Sequence, residues 1–174
     1  MTLSDRLANR ISTVPDFPLP GIAFQDLSPV YTDPDLFEEL ARTLADAFPT
    51  ATHILAVEAR GFALGAAVAL AARKPLVFAR KPGKLPGEIH TVGYGLEYGT
   101  DELTIQQKAL GAHAHVVVID DVLATGGTLI AAAELVKRSG ARLAGFGVLV
   151  ELIELGGREK LAPAEVFSVR AVKN

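Results

Sequence analysis

The segment Val116–Leu129, VVVIDDVLATGGTL, does most to limit what this chain can fold into. Val116, Val117, Val118 and Ile119 form an apolar, β-branched run, which reads as a strand buried on both faces. Asp120 and Asp121 follow at once, then the Gly126–Gly127 pair, then the helical pattern GTLIAAAELVKRSG ended by Gly140. A strand of this kind belongs to a parallel sheet covered by helices.

The rest of the chain repeats the alternation. His53–Val57, Pro75–Ala79, Leu143–Leu152 and Val166–Val169 read as further short strands. FALGAAVALAAR after Gly61 reads as a buried helix. TDPDLFEELARTLADAF reads as an amphipathic one, with Asp33 as N-cap and Pro34 at the first helical position. Leu3, Leu7 and Ile11 suggest a short N-terminal helix, and VPDFPLPGIAFQD a stiff loop. RKPGKLPGE (80–88) is basic, exposed and mobile, and TVGYGLEYGTDELTIQ (91–106) is a hairpin built around a Gly-Thr-Asp turn. The expected class is α/β, a central parallel sheet flanked by helices, in one domain spanning 1–174.

Composition closes off other classes. A hydrophobic share of 49 % excludes disorder, and the absence of cysteine excludes disulfides. The net charge of −3 gives no general attraction to nucleic acid or anionic lipid. The longest apolar run, Phe62–Ala72, is too short to span a bilayer, and the N-terminus lacks the apolar stretch of a signal peptide. A soluble, cytoplasmic protein is expected, with neither nucleic acid nor membrane as partner. The four histidines have no metal-ligand spacing.

Ligands of parallel sheets sit beyond the carboxyl ends of the strands, which marks the loops after Val57, Ala79 and Ile119. In the third, Ala124, Thr125, Gly126, Gly127 and Thr128 open a helix with converging N–H groups and two hydroxyls, a cradle for a phosphate monoester. Two carboxylates beside a phosphate need another ligand, and the cis-diol of a ribose supplies two hydroxyl donors. Carboxylates near the anomeric carbon also stabilise an oxocarbenium-like transition state.

VVVIDDVLATGGT resembles the signature of the type I phosphoribosyltransferases, and DFPLPGIAFQDLSPVYTDP, EARGF, RKPGKLPGE, LEYGTDELTIQ and GREKLAP are similar, in order, to the adenine-specific branch. The resemblance implies that branch's fold, with a β-hairpin catalytic loop and an N-terminal hood segment. It implies transfer of phosphoribose from 5-phosphoribosyl 1-diphosphate to adenine, giving AMP and diphosphate. It places Asp120 and Asp121 on the ribose and residues 124–128 on the 5-phosphate. Arg60, Arg80, Lys81 and Lys84 take the diphosphate; Ala23, Phe24, Gln25 and Val122 take adenine; Glu97 receives the base's proton. Magnesium is expected, held mainly by substrate oxygens, with no all-protein metal site. A homodimer is the expected assembly. Gln25 stands where the family usually has arginine, which keeps transfer to another purine, xanthine or guanine, as an alternative. A non-catalytic phosphoribosyl-diphosphate sensor is the other. It needs a nucleic-acid-binding surface and has no use for the basic loop or Glu97.

Overall fold

A computed structural model describes residues 1–96 and 99–173. The chain forms two compact units, Met1–Leu40 and Ala41–Asn174.

The N-terminal unit opens with α1 (Leu3–Ala8), started by a reciprocal capping box between Thr2 and Asp5. The proline-rich stretch is not wholly a loop. Ser12–Val14 (β1) pairs antiparallel with Phe24–Asp26 (β2), Thr13 opposite Gln25, so that cross-strand pairing closes a long connection whose local signals are all of breakers. A short α2 (Ser28–Tyr31) precedes α3 (Pro34–Ala47). Asp33 caps α3 as expected, its Oδ1 accepting from Leu36 N at 3.1 Å, and it also holds Arg10 at 2.8 Å. Leu7, Leu27, Val30, Leu36 and Leu40 are buried.

The C-terminal unit carries a five-stranded sheet. Its strands are β3 (His53–Val57), β4 (Leu76–Ala79), β7 (His115–Leu123), β8 (Arg142–Leu152) and β9 (Val166–Val172). They run parallel in the order β4-β3-β7-β8-β9. Helices α4 (Gly61–Ala72) and α5 (Gly127–Arg138) are the crossovers. Leu55, Val57, Val116, Val118 and Phe146 pack with Leu129, Leu135 and Val136 of α5 in one buried cluster. On α4, Gly65 lies so close to β3 that a Cβ there would sit 2.4 Å from that of Ala56. The apolar runs of the sequence are therefore strands covered by helices, as their composition demands.

Two further expectations need correction. The central strand does not stop at Ile119. It continues through both aspartates to Leu123, because the long β8 offers pairing that far: Asp120 lies opposite Val148, Val122 opposite Val150 and Leu123 opposite Glu151. The acidic pair is thus held by a strand, not by a loop. In the hairpin, β5 (Ile89–Leu96) pairs with β6 (Gly99–Gln106), and Gly99, Thr100 and Asp101 are strand residues opposite Leu96, Gly95 and Tyr94. The Gly-Thr-Asp composition resembles a turn, but the cross-strand register overrides it. A last short helix, α6 (Gly157–Leu161), was not evident in the sequence.

Candidate active site

The carboxyl ends of β3, β4 and β7 bring most of the expected polar residues of the C-terminal unit to one edge of the sheet. Asp120 and Asp121 are its centre. Asp121 is 4 % exposed, and its Oδ2 lies 2.7 Å from Arg60 Nε. That contact is an ion pair without hydrogen-bond geometry, so the buried oxygen has no directed donor among the described residues. Asp120 is half-buried and accepts from Asp121 N at 2.9 Å. Gly61 abuts it: a Cβ at Gly61 would come within 2.9 Å of Asp120 Oδ1. Both aspartates therefore meet the first residues of α4. Burial raises the Asp120 carboxyl well above the ordinary range, and the neighbouring Asp121 charge adds to it. Burial raises Asp121 also, with Arg60 opposing. The pair is a strong acceptor of hydrogen bonds that the protein leaves partly unused.

The glycine turn lies immediately beyond. Ala124, Thr125, Gly126, Gly127 and Thr128, with Asp120 and Val122, line a small cleft of about 70 Å³. Gly126 has φ of 84°, a left-handed conformation in which a side chain is strained. No side chain caps α5 or α4, and neither has an acidic residue in its first turn. Their first N–H groups and positive dipole ends are therefore available to an anion. The turn is braced from α6. A Cβ at Gly157 would lie 2.2 Å from Ala124 O, and Lys160 Nζ donates to Thr125 O at 3.2 Å. Arg158 in turn holds the buried Glu151 with two guanidinium contacts, and Ser168 donates to Glu151 at 2.8 Å.

The basic loop is arranged around Glu58. Lys81 N donates to Glu58 Oε2 at 2.7 Å, and Arg80 Nη2 lies 3.4 Å from Glu58 Oε1. Burial would raise the Glu58 carboxyl, but the Lys81 amide and the Arg80 guanidinium outweigh it and hold it below its usual value. Arg80 also lies over the Phe62 ring at 5.6 Å, and its backbone bridges to Thr104 of β6. Its guanidinium is thereby turned inward, whereas Lys81 and Lys84 are exposed. The Lys81 ammonium pairs with Asp101 Oδ2 at 2.7 Å. The Glu58–Ala59 peptide bond is cis.

Other expected residues belong to the N-terminal unit or lie outside the described residues. Glu97 lies outside the described residues. Ala23, Phe24 and Gln25 belong to the N-terminal unit. There Phe24 meets Phe17 edge-on at 5.0 Å, and Gln25 Nε2 reaches Thr13 Oγ1 at 3.4 Å. Sequence reasoning missed Glu58, Asp101, Tyr94, Gly157 and Lys160 as members or supports of this edge. Only Glu58, interrupting an apolar run in EARG, left a local signal.

A glycine turn with free helix N–H groups behind an acidic pair, on a parallel sheet of this order, can hold a phosphorylated sugar. The chain belongs to the phosphoribosyl transferase family, whose domain model matches residues 30–171. Among its relatives within that family are adenine phosphoribosyltransferases. That of Salinispora arenicola is 45 % identical over 98 % of this chain and 92 % of its own length. The crystal structure of the Thermoanaerobacter pseudethanolicus enzyme superposes with a TM-score of 0.94 at 41 % identity, covering 98 % of this chain and 100 % of that one. The Saccharomyces cerevisiae enzyme, in complex with adenine and D-2,5-dideoxy-2,5-imino-altritol 1,6-bisphosphate, gives 0.91 at 39 % identity over 97 % and 98 % of the two chains.

Proposed function

We propose that this chain catalyses transfer of a phosphoribosyl group from 5-phosphoribosyl 1-diphosphate to adenine, forming AMP and diphosphate in purine salvage. The observation that carries the reading is the half-buried Asp120 carboxylate, which lines the same small cleft as the glycine turn 124–128. A ribose hydroxyl donates to that carboxylate, and the 5-phosphate of the same sugar fills the cradle.

Each step assigns a task to named groups. Residues 124–128 and the first turn of α5 fix the 5-phosphate. Asp120 and Asp121 accept from the ribose hydroxyls. As the bond from the anomeric carbon to diphosphate breaks, positive charge grows on the sugar, and the two carboxylates stabilise it. Arg60, Lys81 and Lys84 face the departing diphosphate. Arg80, already engaged by Glu58 and Phe62, orders the loop that carries Lys81. Adenine attacks through a ring nitrogen, a new C–N bond forms, and Glu97 receives the proton that the ring gives up. The Ala23–Gln25 segment is our choice for reading the base, and Val122 for an apolar contact, both by resemblance.

Magnesium fits a site of this composition. Among the described residues no group of three or more His, Cys, Asp or Glu side chains gathers to hold a metal. The ion would arrive with substrate oxygens and touch the Asp120–Asp121 carboxylates, neutralising diphosphate charge. We further propose a cytoplasmic homodimer. Among the described residues no helix is long and apolar enough to cross a membrane. Phe78 on edge strand β4 stays 41 % exposed beside Phe62, which supports an interface there.

The test is a competition assay with labelled phosphoribosyl diphosphate and adenine, hypoxanthine, guanine or xanthine. Labelled AMP with adenine alone is expected. Transfer to an oxopurine overturns the base assignment, and no transfer to any base overturns the enzyme.

A further inference from the structure

One string of side chains ties together the elements around the site. Glu58 holds the Lys81 amide, Lys81 Nζ holds Asp101, and Asp101 Oδ2 also accepts from Tyr94 OH at 3.2 Å. Tyr94 and Asp101 are direct cross-strand partners in the hairpin. The Tyr94 ring also lies against Gly127, at the start of α5, 3.6 Å from where a Cβ would stand. The basic loop, the hairpin and the glycine cradle are thus joined through one carboxylate that the reaction itself does not require.

The exposure of its partners indicates what that carboxylate does. The Lys81 side chain is 53 % exposed and that of Asp101 22 %. An ion pair this open is weak and exchanges readily, whereas a buried pair would not. A diphosphate carries more charge than one carboxylate and out-competes it for an ammonium. Asp101 does not lose its other partners when Lys81 leaves, because Tyr94 OH and the Glu102 amide, at 2.9 Å, still donate to it. The carboxylate is therefore stable with or without the lysine.

We propose that Asp101 is a positioning residue that acts through Lys81, competing with diphosphate for its ammonium: it yields Lys81 when the substrate enters and reclaims it as the product diphosphate leaves. The inference rests on the reading of Lys81 as a diphosphate-binding group and adds a release step to it. No atom transfer is involved, only exchange of one ion-pair partner for another.

The experiment is a double-mutant cycle of Asp101→Asn and Lys81→Met in the full chain, read by inhibition constants for diphosphate, KM for phosphoribosyl diphosphate, and kcat. Asn keeps the shape and the Tyr94 contact but removes the competing charge. Asp101→Asn alone is expected to tighten diphosphate inhibition and lower KM about two- to fivefold, the scale of a half-exposed ion pair, with kcat lowered by slower release. In the Lys81→Met background the same change should have no effect on either constant. Weaker diphosphate binding in Asp101→Asn, or an equal effect with and without Lys81, overturns the role of Asp101 while leaving the Lys81 reading intact. Unchanged diphosphate inhibition in Lys81→Met alone overturns that reading, and the proposal with it.

Discussion

Arg60 Nε stands 2.7 Å from Asp121 Oδ2, and it is the ion-pair partner of a carboxylate that is almost wholly buried. The two residues come from different strand ends, Arg60 after β3 and Asp121 within β7, and the start of α4 brings them together. Removing the guanidinium leaves a buried charge without its partner. Arg60→Met is expected to cost about 1–2 kcal/mol at pH 7, less than a fully buried pair because the Arg60 side chain is 41 % exposed. The loss also raises the Asp121 carboxyl further, so the deficit should shrink as pH falls and Asp121 becomes neutral. Urea unfolding at pH 7 and toward about pH 4, near the ordinary Asp value, measures both. An equal deficit at the two values would mean that Arg60 contributes through packing and not charge.

Asp120 predicts the opposite kind of pH dependence from an ordinary carboxylate. Its folded pKa is raised by burial and by Asp121. The folded state then binds a proton more tightly than the unfolded chain, so the stability this group contributes is complete at low pH. It is lost as pH rises through the folded value. Asp120→Asn removes the charged form and should raise the melting midpoint at pH 7. The advantage should vanish toward pH 4, near the value of an unfolded Asp. Turnover should fall sharply in the same variant. Thermal melts across pH, paired with AMP formation, test whether stability has been given up for function here. A variant no more stable at pH 7 than the parent refutes the cost assigned to this charge.

Glu151 supplies the contrast. It is 5 % exposed, yet Arg158 first, and Ser168 next, hold its carboxyl below the usual value against the effect of burial. Its stabilising contribution is present above the unfolded Glu value and lost as pH falls through the depressed folded one. Glu151→Gln should lose about 1–3 kcal/mol at pH 7. The gap to the parent should close below about pH 4. Chemical denaturation at the two ends of that range reads it directly. A gap that stays constant would assign the loss to packing around α6.

The features that could be read from sequence are those whose signals are local. The β-branched run before Asp120, the Gly126–Gly127 turn and the Asp33–Pro34 helix start each declare themselves within a few residues. What was not legible depends on partners far along the chain. The run of β7 through both aspartates is decided by β8, some thirty residues later, as Asp120 opposite Val148 makes plain. Gly-Thr-Asp reads as a turn until its register against Leu96, Gly95 and Tyr94 is known. Asp101 has no motif of its own, and its meaning lies in Lys81, distant in sequence and 2.7 Å away in space. Ion pairs and close backbone approaches are consequences of packing, and periodicity does not encode them.

Gly157 shows how such an approach acts on the site. Its backbone lies against the glycine cradle so tightly that a Cβ would sit 2.2 Å from Ala124 O, 2.6 Å from Leu123 Cδ1 and 3.1 Å from Gly126 N. Two of those atoms are backbone of the cradle itself, so the methyl of Gly157→Ala cannot be absorbed by a rotamer change. Either α6 withdraws or residues 124–126 shift. Arg158 resists the first, because its ion pair with Glu151 and its bond to Val166 O at 2.9 Å tie α6 to β8 and β9. The cradle should therefore yield. The expected cost is about 1–3 kcal/mol of stability from overpacking, together with a tenfold or greater loss of AMP affinity, since phosphate contacts tolerate little misplacement. Calorimetric titration with AMP and with adenine alone separates the two effects. Loss of AMP binding with retained adenine binding locates the damage in the cradle. Equal loss of both would mean that Gly157 supports the unit as a whole and not the phosphate site.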